Sequence, residues 1–177
     1  MNQVSRYHPA LVALHWLVAA MVLGMLYVGL VVFDSIDDAD PHKLNIILLH
    51  IAGGLTILAL MAVRLIVRWR SDKPAPAPSG NPMLDRLAPL THYAFYLVIL
   101  LIVASGLTTA ILAGLNRIVL ERSGEPLPDL DSYPTFVAHG YLAYLLLGLI
   151  GLHLAGALYH QLILKDGLLR RMWFGSR

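Results

Sequence analysis

Eight histidines are spread through a chain of 177 residues, of which 58% are hydrophobic and only 14% are charged. Six of the eight lie inside or at the ends of long apolar stretches: His15, His50, His92, His139, His153 and His160. Ionisable side chains are costly inside a membrane, and those that occur there usually serve a function. A hydrogen bond to a neighbouring helix explains any single histidine equally well, but six in four stretches favour a shared site.

The spacing of these histidines indicates which cofactor they can hold. His139 and His153 are 14 residues apart, which is about 21 Å and just under four turns of a helix, so their rings face the same way at two depths. By depth, His50 pairs with His139, and His15 pairs with His153. The two levels are too far apart for one metal ion, which would favour histidines four residues apart. Two haems, each held by axial imidazoles from two helices of a bundle, fit the spacing.

Four apolar stretches must position these rings. A bilayer core about 30 Å thick needs roughly 20 apolar residues per helix, and the stretches lie at about Ala10–Phe33, Leu44–Val67, Leu90–Leu115 and Phe136–Leu162. The proline-rich stretch from Lys73 to Pro82 predicts a linker without helix. We therefore predict an all-α membrane protein, in which residues 1–177 form a single four-transmembrane-helix bundle holding two b-type haems. The absence of cysteine excludes disulfides and thiolate metal sites.

Charge predicts how the bundle is oriented. Most basic residues fall on one side of the predicted spans: Arg6, Arg64, Arg68, Arg70, Lys73, Arg86, Lys165, Arg170, Arg171 and Arg177. Such an excess marks the cytoplasmic side, so both termini are predicted to be cytoplasmic. The outer loops contain mainly acidic residues, with only Lys43, Arg117 and Arg122 as basic ones. Because the basic residues lie at membrane boundaries, they give no support to nucleic-acid binding.

Three further side chains near the cytoplasmic ends are candidates for chemistry. Arg64 follows His50 by 14 residues, and its guanidinium suits a haem propionate or a quinone oxygen; a positive-inside anchor is the alternative. His92 opens the third stretch and His160 closes the fourth. Each is either part of a quinone or propionate site or an interfacial histidine. Three glycines near the histidines either admit a flat ring or serve ordinary helix packing: Gly53, Gly54 and Gly156.

The ordered motifs resemble those of the bacterial cytochrome b-561 family, in particular its superoxide oxidase members. They are Leu14-His15-Trp16, Leu49-His50 with Gly53-Gly54, Val63-Arg64-Leu65, Leu90-Thr91-His92-Tyr93, His139 with His153, Tyr159-His160 and Lys165-Asp166-Gly167-Leu168-Leu169-Arg170-Arg171-Met172. The resemblance covers nearly the whole chain. It implies a location in the bacterial inner membrane, and it implies that four histidines are the haem ligands: His15, His50, His139 and His153.

The same resemblance implies that superoxide reduces the outer haem, that ubiquinone is reduced near the cytoplasmic side, and that His160 stands at the quinone end. The first outer loop departs from this pattern, because it is acidic from Asp34 to Asp40. An acidic outer surface repels superoxide, which is an anion, unless the three outer basic residues, Lys43, Arg117 and Arg122, converge over the haem. An acidic rim equally suits docking of a basic periplasmic redox protein.

We therefore predict a lipid-embedded oxidoreductase that takes electrons from superoxide, forming O2, and passes them through two haems to ubiquinone. His160, Arg64 and His92 are the candidates for the quinone end. The alternative is an electron-transfer cytochrome b that serves a periplasmic redox protein. A third class is a small transporter or scaffold whose histidines relay protons, and a haem absorption band in the purified protein would distinguish it from the other two.

Overall fold

Four long helices dominate the computed structural model, which describes residues 4–38 and 40–175. They are α1 (Pro9–Ser35), α2 (Pro41–Arg70), α3 (Pro82–Leu112) and α4 (Pro134–Leu164), and a short helix α5 (Leu168–Arg171) follows. Each long helix is apolar enough to cross a membrane, and no strand occurs in the described ranges. The prediction of an all-α, four-helix membrane protein is confirmed. Arg177, counted above among the cytoplasmic basic residues, lies outside the described residues.

Each of the four long helices begins at a proline: Pro9, Pro41, Pro82 and Pro134. Proline is favoured there because its fixed φ suits a helix and the first turn needs no donor from it. Side chains just before three of these prolines accept a hydrogen bond from an amide of the first turn. Asp40 accepts from His42, Asn81 from Met83, and His8 from Ala10. The helix starts are therefore encoded locally.

The third helix differs from its predicted bounds of Leu90–Leu115. It begins at Pro82, because the Asn81 cap starts a polar turn that precedes the apolar run. It ends at Leu112, since Gly114 adopts a positive φ of 65° and turns the chain. A π-helical turn, Asn116–Leu120, follows at the outer surface. The expected linker is present, because residues 71–81 contain no helix.

Two of the spanning helices contain π-helical turns, which are rare and often lie at functional sites. In α1 the turn covers Val28–Val32 at the outer end. In α4 it covers Tyr159–Leu164 at the inner end. Beyond α4, Lys165 and Gly167 both adopt left-handed conformations. The chain therefore reverses sharply before α5.

Two apolar clusters hold the helices together, with α1 packed chiefly on α2 and α3 on α4. The mid-membrane cluster draws on all four long helices: Val18, Val22, Ile57, Met61, Val98, Ile99 and Leu146. The outer cluster lies at the outer end of the bundle. Its side chains come from α2, α3 and the turn after α3: Ile47, Ala110, Ala113, Leu115, Ile118 and Val119. The mid-membrane cluster fills the depth between the two histidine levels.

The C-terminal segment is tied to the N-terminal one at the end of the bundle where α1 begins. The indole nitrogen of Trp16 donates to the carbonyl of Met172 at 2.9 Å, and Nη1 of Arg6 donates to the carbonyl of Phe174 at 2.7 Å. The backbone amide of Tyr7 also donates to the carbonyl of Arg171 at 3.1 Å. The last turn of the chain therefore lies across the start of α1.

Replacing Trp16 by Phe removes this indole donor while keeping an aromatic ring. One such hydrogen bond contributes about 0.5–1.5 kcal/mol, so amides of residues 168–173 should exchange with solvent about two- to tenfold faster. Hydrogen–deuterium exchange followed by mass spectrometry measures this. Trp69→Phe is the matched control, since Trp69 is 69% exposed. Equal exchange in both variants would show that the Trp16 bond does not hold the segment.

Candidate functional site

The outer histidine level joins α2 and α4. The ring centres of His50 and His139 are 5.9 Å apart, with the planes inclined at 66°. Nδ1 of His139 lies 2.9 Å from the carbonyl oxygen of Ile102 and 3.3 Å from the hydroxyl of Ser105. With its Nδ1–H donated to that carbonyl, His139 keeps a free lone pair on Nε2. A hydrogen bond of this kind orients histidines that bind a metal.

Glycines bring the backbone against both outer rings. A Cβ placed on Gly29 would lie 3.2 Å from Cε1 of His50. A Cβ on Gly106 would lie 3.0 Å from both Cε1 and Nδ1 of His139. Larger residues would displace the rings, so glycine at these positions fixes where the imidazoles stand. Gly29 lies in the π-helical turn of α1.

The three glycines noted in the sequence, Gly53, Gly54 and Gly156, have different surroundings. A Cβ on Gly53 would lie 2.6 Å from the sulfur of Met25, so Gly53 allows α1 and α2 to pack closely. A Cβ on Gly156 would meet nothing within 4 Å. Gly54 lines the outer cavity. Gly29 and Gly106 were missed, although their depth in the first and third apolar stretches matches that of the outer histidines.

An apolar cavity surrounds the outer pair and extends towards the centre of the bundle. Its walls come from all four helices and include Met25, Leu26, Ile51, Val103, Ala143 and Leu146. Nδ1 of His50 is buried and has no hydrogen-bond partner among the described residues. Buried polar atoms are normally satisfied. The cavity walls are apolar, Nε2 of His139 is free to bind a metal, and Nδ1 of His50 is left unsatisfied by the described residues. These features fit a flat hydrophobic cofactor with a metal centre.

The inner level contains three histidines rather than two. The ring centres of His15 and His153 are 6.2 Å apart, and His92 lies 5.6 Å from His153. An imidazole nitrogen binds a metal such as zinc at about 2.0–2.1 Å, so two rings on opposite sides of one metal ion have centres roughly 6 Å apart. Both predicted pairs have this separation. His92, which the sequence left without a partner, joins the inner level.

Arg64 lies at the inner level and has no acidic partner among the described residues. Its side chain is buried, at 8% exposure, and Nη1 donates to the hydroxyl of Tyr96 at 2.6 Å. The guanidinium lies within electrostatic range of His15, His92 and His153. A buried cation without a counter-charge is costly. The site therefore suits an anionic group, such as a haem propionate.

His160 stands apart from Arg64 and His92. Its Nδ1 lies 2.6 Å from a carboxylate oxygen of Asp166, with side-chain exposures of 14% and 26%. The hydrogen bonds and ring contacts of His160 within the described residues are with Asp166 and Tyr159. The three residues assigned to the quinone end thus fall into two groups. Arg64 and His92 lie with the inner pair, and His160 lies in the last turn of α4, nearer the end of the bundle.

Each of the three outer basic residues is engaged by a neighbouring side chain. Lys43 is buried at 5% exposure, forms an ion pair with Asp38, and donates to the carbonyl of Ile36 at 2.8 Å. The other two are also engaged by neighbours, as Arg117 pairs with Glu125 at 3.0 Å and Arg122 donates to Asn45 at 2.5 Å. Asp38 and Glu125 thus neutralise two of the three basic residues, and the outer surface keeps an excess of carboxylates.

An acidic cleft lies at the outer end of α1 and α4. Five aspartates line it together with Lys43: Asp34, Asp37, Asp38, Asp129 and Asp131. The cleft shares wall residues with the apolar cavity around the outer histidines: Gly29, Leu30, Phe33, Phe136 and Gly140. The acidic cleft therefore adjoins the apolar cavity that holds the outer histidines.

Comparison with known proteins gives a consistent result. The family model described as prokaryotic cytochrome b561 matches residues 6–175. Cytochrome b561 homolog 2 of Escherichia coli (strain K12) is 33% identical over 176 residues, covering 97% of this chain and 93% of that protein. A protein of Yersinia pestis named probable superoxide oxidase CybB is 28% identical, covering 95% of this chain and 96% of its own.

A third relative, cytochrome b562 of Cereibacter sphaeroides, is 29% identical and covers 97% of this chain and 98% of its own. The matches span the helices that carry both histidine levels, where the ring centres of the predicted pairs lie 5.9 Å and 6.2 Å apart. This chain therefore belongs to the prokaryotic cytochrome b561 family of membrane electron-transfer proteins, which bind b-type haem.

Proposed function

We propose that this protein is a di-haem cytochrome b of the bacterial inner membrane, with both termini in the cytoplasm. It oxidises superoxide to O2 on the periplasmic side and reduces ubiquinone on the cytoplasmic side. The supporting observation is the pair of histidine levels, which lie in opposite halves of one four-helix bundle. Two electron carriers stacked in this way connect the two membrane faces.

His50 and His139 would hold the outer haem, and His15 and His153 the inner one. When bound, the haems supply reversible one-electron transfer. The carbonyl of Ile102 orients the imidazole of His139. Between the two levels, the mid-membrane cluster of aliphatic side chains excludes water.

The cytoplasmic end carries the groups for the acceptor. Arg64 and Tyr96 offer donors to a haem propionate or a quinone oxygen at the inner level. His92 adds an imidazole there, whose Nδ1 lies 2.7 Å from the carbonyl of Ala88. Quinone reduction consumes protons, so the site must reach water on that side. His160, at the boundary, is suited to pass them.

A cationic redox protein of the periplasm is the second candidate donor. The acidic cleft beside the cavity of the outer histidines favours it, because carboxylates attract a basic partner and repel an anion. The Yersinia relative named as a probable superoxide oxidase supports the first candidate instead. The two donors differ in charge, and ionic strength therefore distinguishes them.

Haem content tests the core of the proposal. A pyridine haemochrome assay should give two haems per chain, and His139→Ala should lower the ratio towards one, because it removes an axial ligand of the outer haem. His42→Ala is the matched control, since His42 is exposed in the first turn of α2. A ratio near one in the unaltered protein, or two haems retained in His139→Ala, would contradict the assignment.

Donor side and donor charge can be tested together in oriented liposomes. Superoxide added outside should reduce the protein, and the rate should rise with ionic strength as salt screens the acidic cleft. Asp131→Asn should raise the rate at low salt, whereas Glu121→Gln, outside the cleft, should not.

Failure with superoxide, but reduction by the cation hexaammineruthenium(II) that slows with salt, would favour the protein-donor alternative. Reduction only from the inner face would overturn the direction of transfer.

The acceptor side is tested by His160→Ala. This variant should keep both haems and accept electrons from outside at the normal rate. Its ubiquinone reduction should slow about 100-fold, since loss of a proton-transferring side chain typically costs 10²–10⁴. Ubiquinone-1 reduction is followed by absorbance, with His42→Ala again as control. Full quinone reductase activity in His160→Ala would remove His160 from the mechanism.

A further inference from the structure

The chain folds back after α4, so that the carboxylate of Asp166 contacts His160. The last turn of α4 is π-helical, and Lys165 and Gly167 follow in left-handed conformations with φ of 54° and 70°. This reversal places the amide of Asp166 3.4 Å from the carbonyl of His160. It also brings one carboxylate oxygen of Asp166 to 2.6 Å from Nδ1 of the ring.

Both oxygens of the Asp166 carboxylate are engaged. While Oδ2 meets His160, Oδ1 accepts from the amide of Leu168 at 2.9 Å. Burial opposes ionisation of this carboxyl, but three influences together lower the pKa of Asp166 below its ordinary value. They are the hydrogen bond from His160, the bond from the Leu168 amide, and the positive charges of His160 and Arg171. The carboxylate is therefore ionised and fixed in direction at cellular pH.

Other charged groups also lie near the ring of His160. Asp85, near the start of α3, lies within electrostatic range of His160, and its carboxylate accepts from the amide of Ser79 at 2.7 Å. Arg171 of α5 is a cation whose charge acts on Asp166. Asp166 alone among these groups touches the imidazole, so it supplies the dominant counter-charge.

We propose that Asp166 is a positioning residue for proton delivery, holding the Nδ1–H of His160 so that its Nε2–H is the proton given to the acceptor quinone. The inference rests on the proposed role of His160 in quinone reduction. A carboxylate bonded to Nδ1–H fixes the tautomer and orientation of an imidazole and stabilises its cation without itself taking the proton. The contact at 2.6 Å has this arrangement.

The protons and electrons balance as follows. Reduction of a quinone to a quinol takes two electrons, supplied by the outer donor through the proposed electron transfer, and two protons. For each proton, the Nε2–H bond of His160 breaks and an O–H bond forms on a quinone oxygen. The neutral ring keeps its Nδ1–H on Asp166, and cytoplasmic water returns a proton to Nε2. Two such cycles supply both protons.

Three variants of the full-length, haem-loaded protein in liposomes test this role. Asp166→Asn keeps a hydrogen-bond acceptor but removes the charge. The upper limb of its pH–rate profile for ubiquinone-1 reduction should move about one unit lower, which makes it about tenfold slower near pH 8. Asp166→Glu should restore most of the rate. Lys165→Gln, which changes the adjacent charge outside the pair, should leave the profile in place.

Haem content and the rate of haem reduction from outside should be unchanged in all three variants. A profile for Asp166→Asn that matches the unaltered protein would overturn the inference. If Asp166→Asn fails to assemble, the test is a solvent isotope effect on the unaltered protein. Quinone reduction in D2O should be slower than in water at the upper limb of the pH profile. Equal rates in the two solvents there would overturn the inference. Full activity in His160→Ala would instead refute the proposed function at this end, whatever Asp166→Asn does.

Discussion

The cost of placing imidazole rings in hydrocarbon governs this bundle. Each ring must find a polar partner or a metal within the protein, because lipid offers none. Helix α4 carries His139 and His153 at two depths, and the other helices are arranged to meet them. His50 and His15 approach from α2 and α1, and Ile102 offers its carbonyl from α3. Glycine is required where the backbone comes closest to a ring.

The two ends of the bundle differ in charge, and this difference gives direction to a molecule whose histidine levels are otherwise alike. At the inner level, Arg64 is buried without an acidic partner among the described residues. At the outer end, Lys43 is also buried, but Asp38 neutralises it and other aspartates line the cleft beside it. The inner level therefore favours anionic groups, whereas the outer cleft favours cations.

Depth and periodicity are one-dimensional properties, so the sequence could predict the four spans and the pairing of histidines by level. Contacts that depend on inter-helix register could not be read in this way. Arg64 meets Tyr96 across 32 residues, and His92 reaches His153 because α3 packs on α4. Asp166 contacts its histidine because the chain reverses at Lys165, which adopts a left-handed conformation that residues other than Gly, Asn and Asp rarely adopt. The structure starts α3 earlier than predicted because its first turn is polar, and a prediction from hydropathy alone leaves polar turns out of the helix.

The bond between Trp16 and Met172 joins residues separated by 156 positions. During synthesis the first helix enters the membrane long before its partner carbonyl exists. At about 5–20 residues per second, this separation corresponds to roughly 8–30 seconds of translation. The end of the bundle beside His15 therefore closes only after the C-terminal segment has been made. The rate of translation thus sets a minimum time before this end of a new molecule can close.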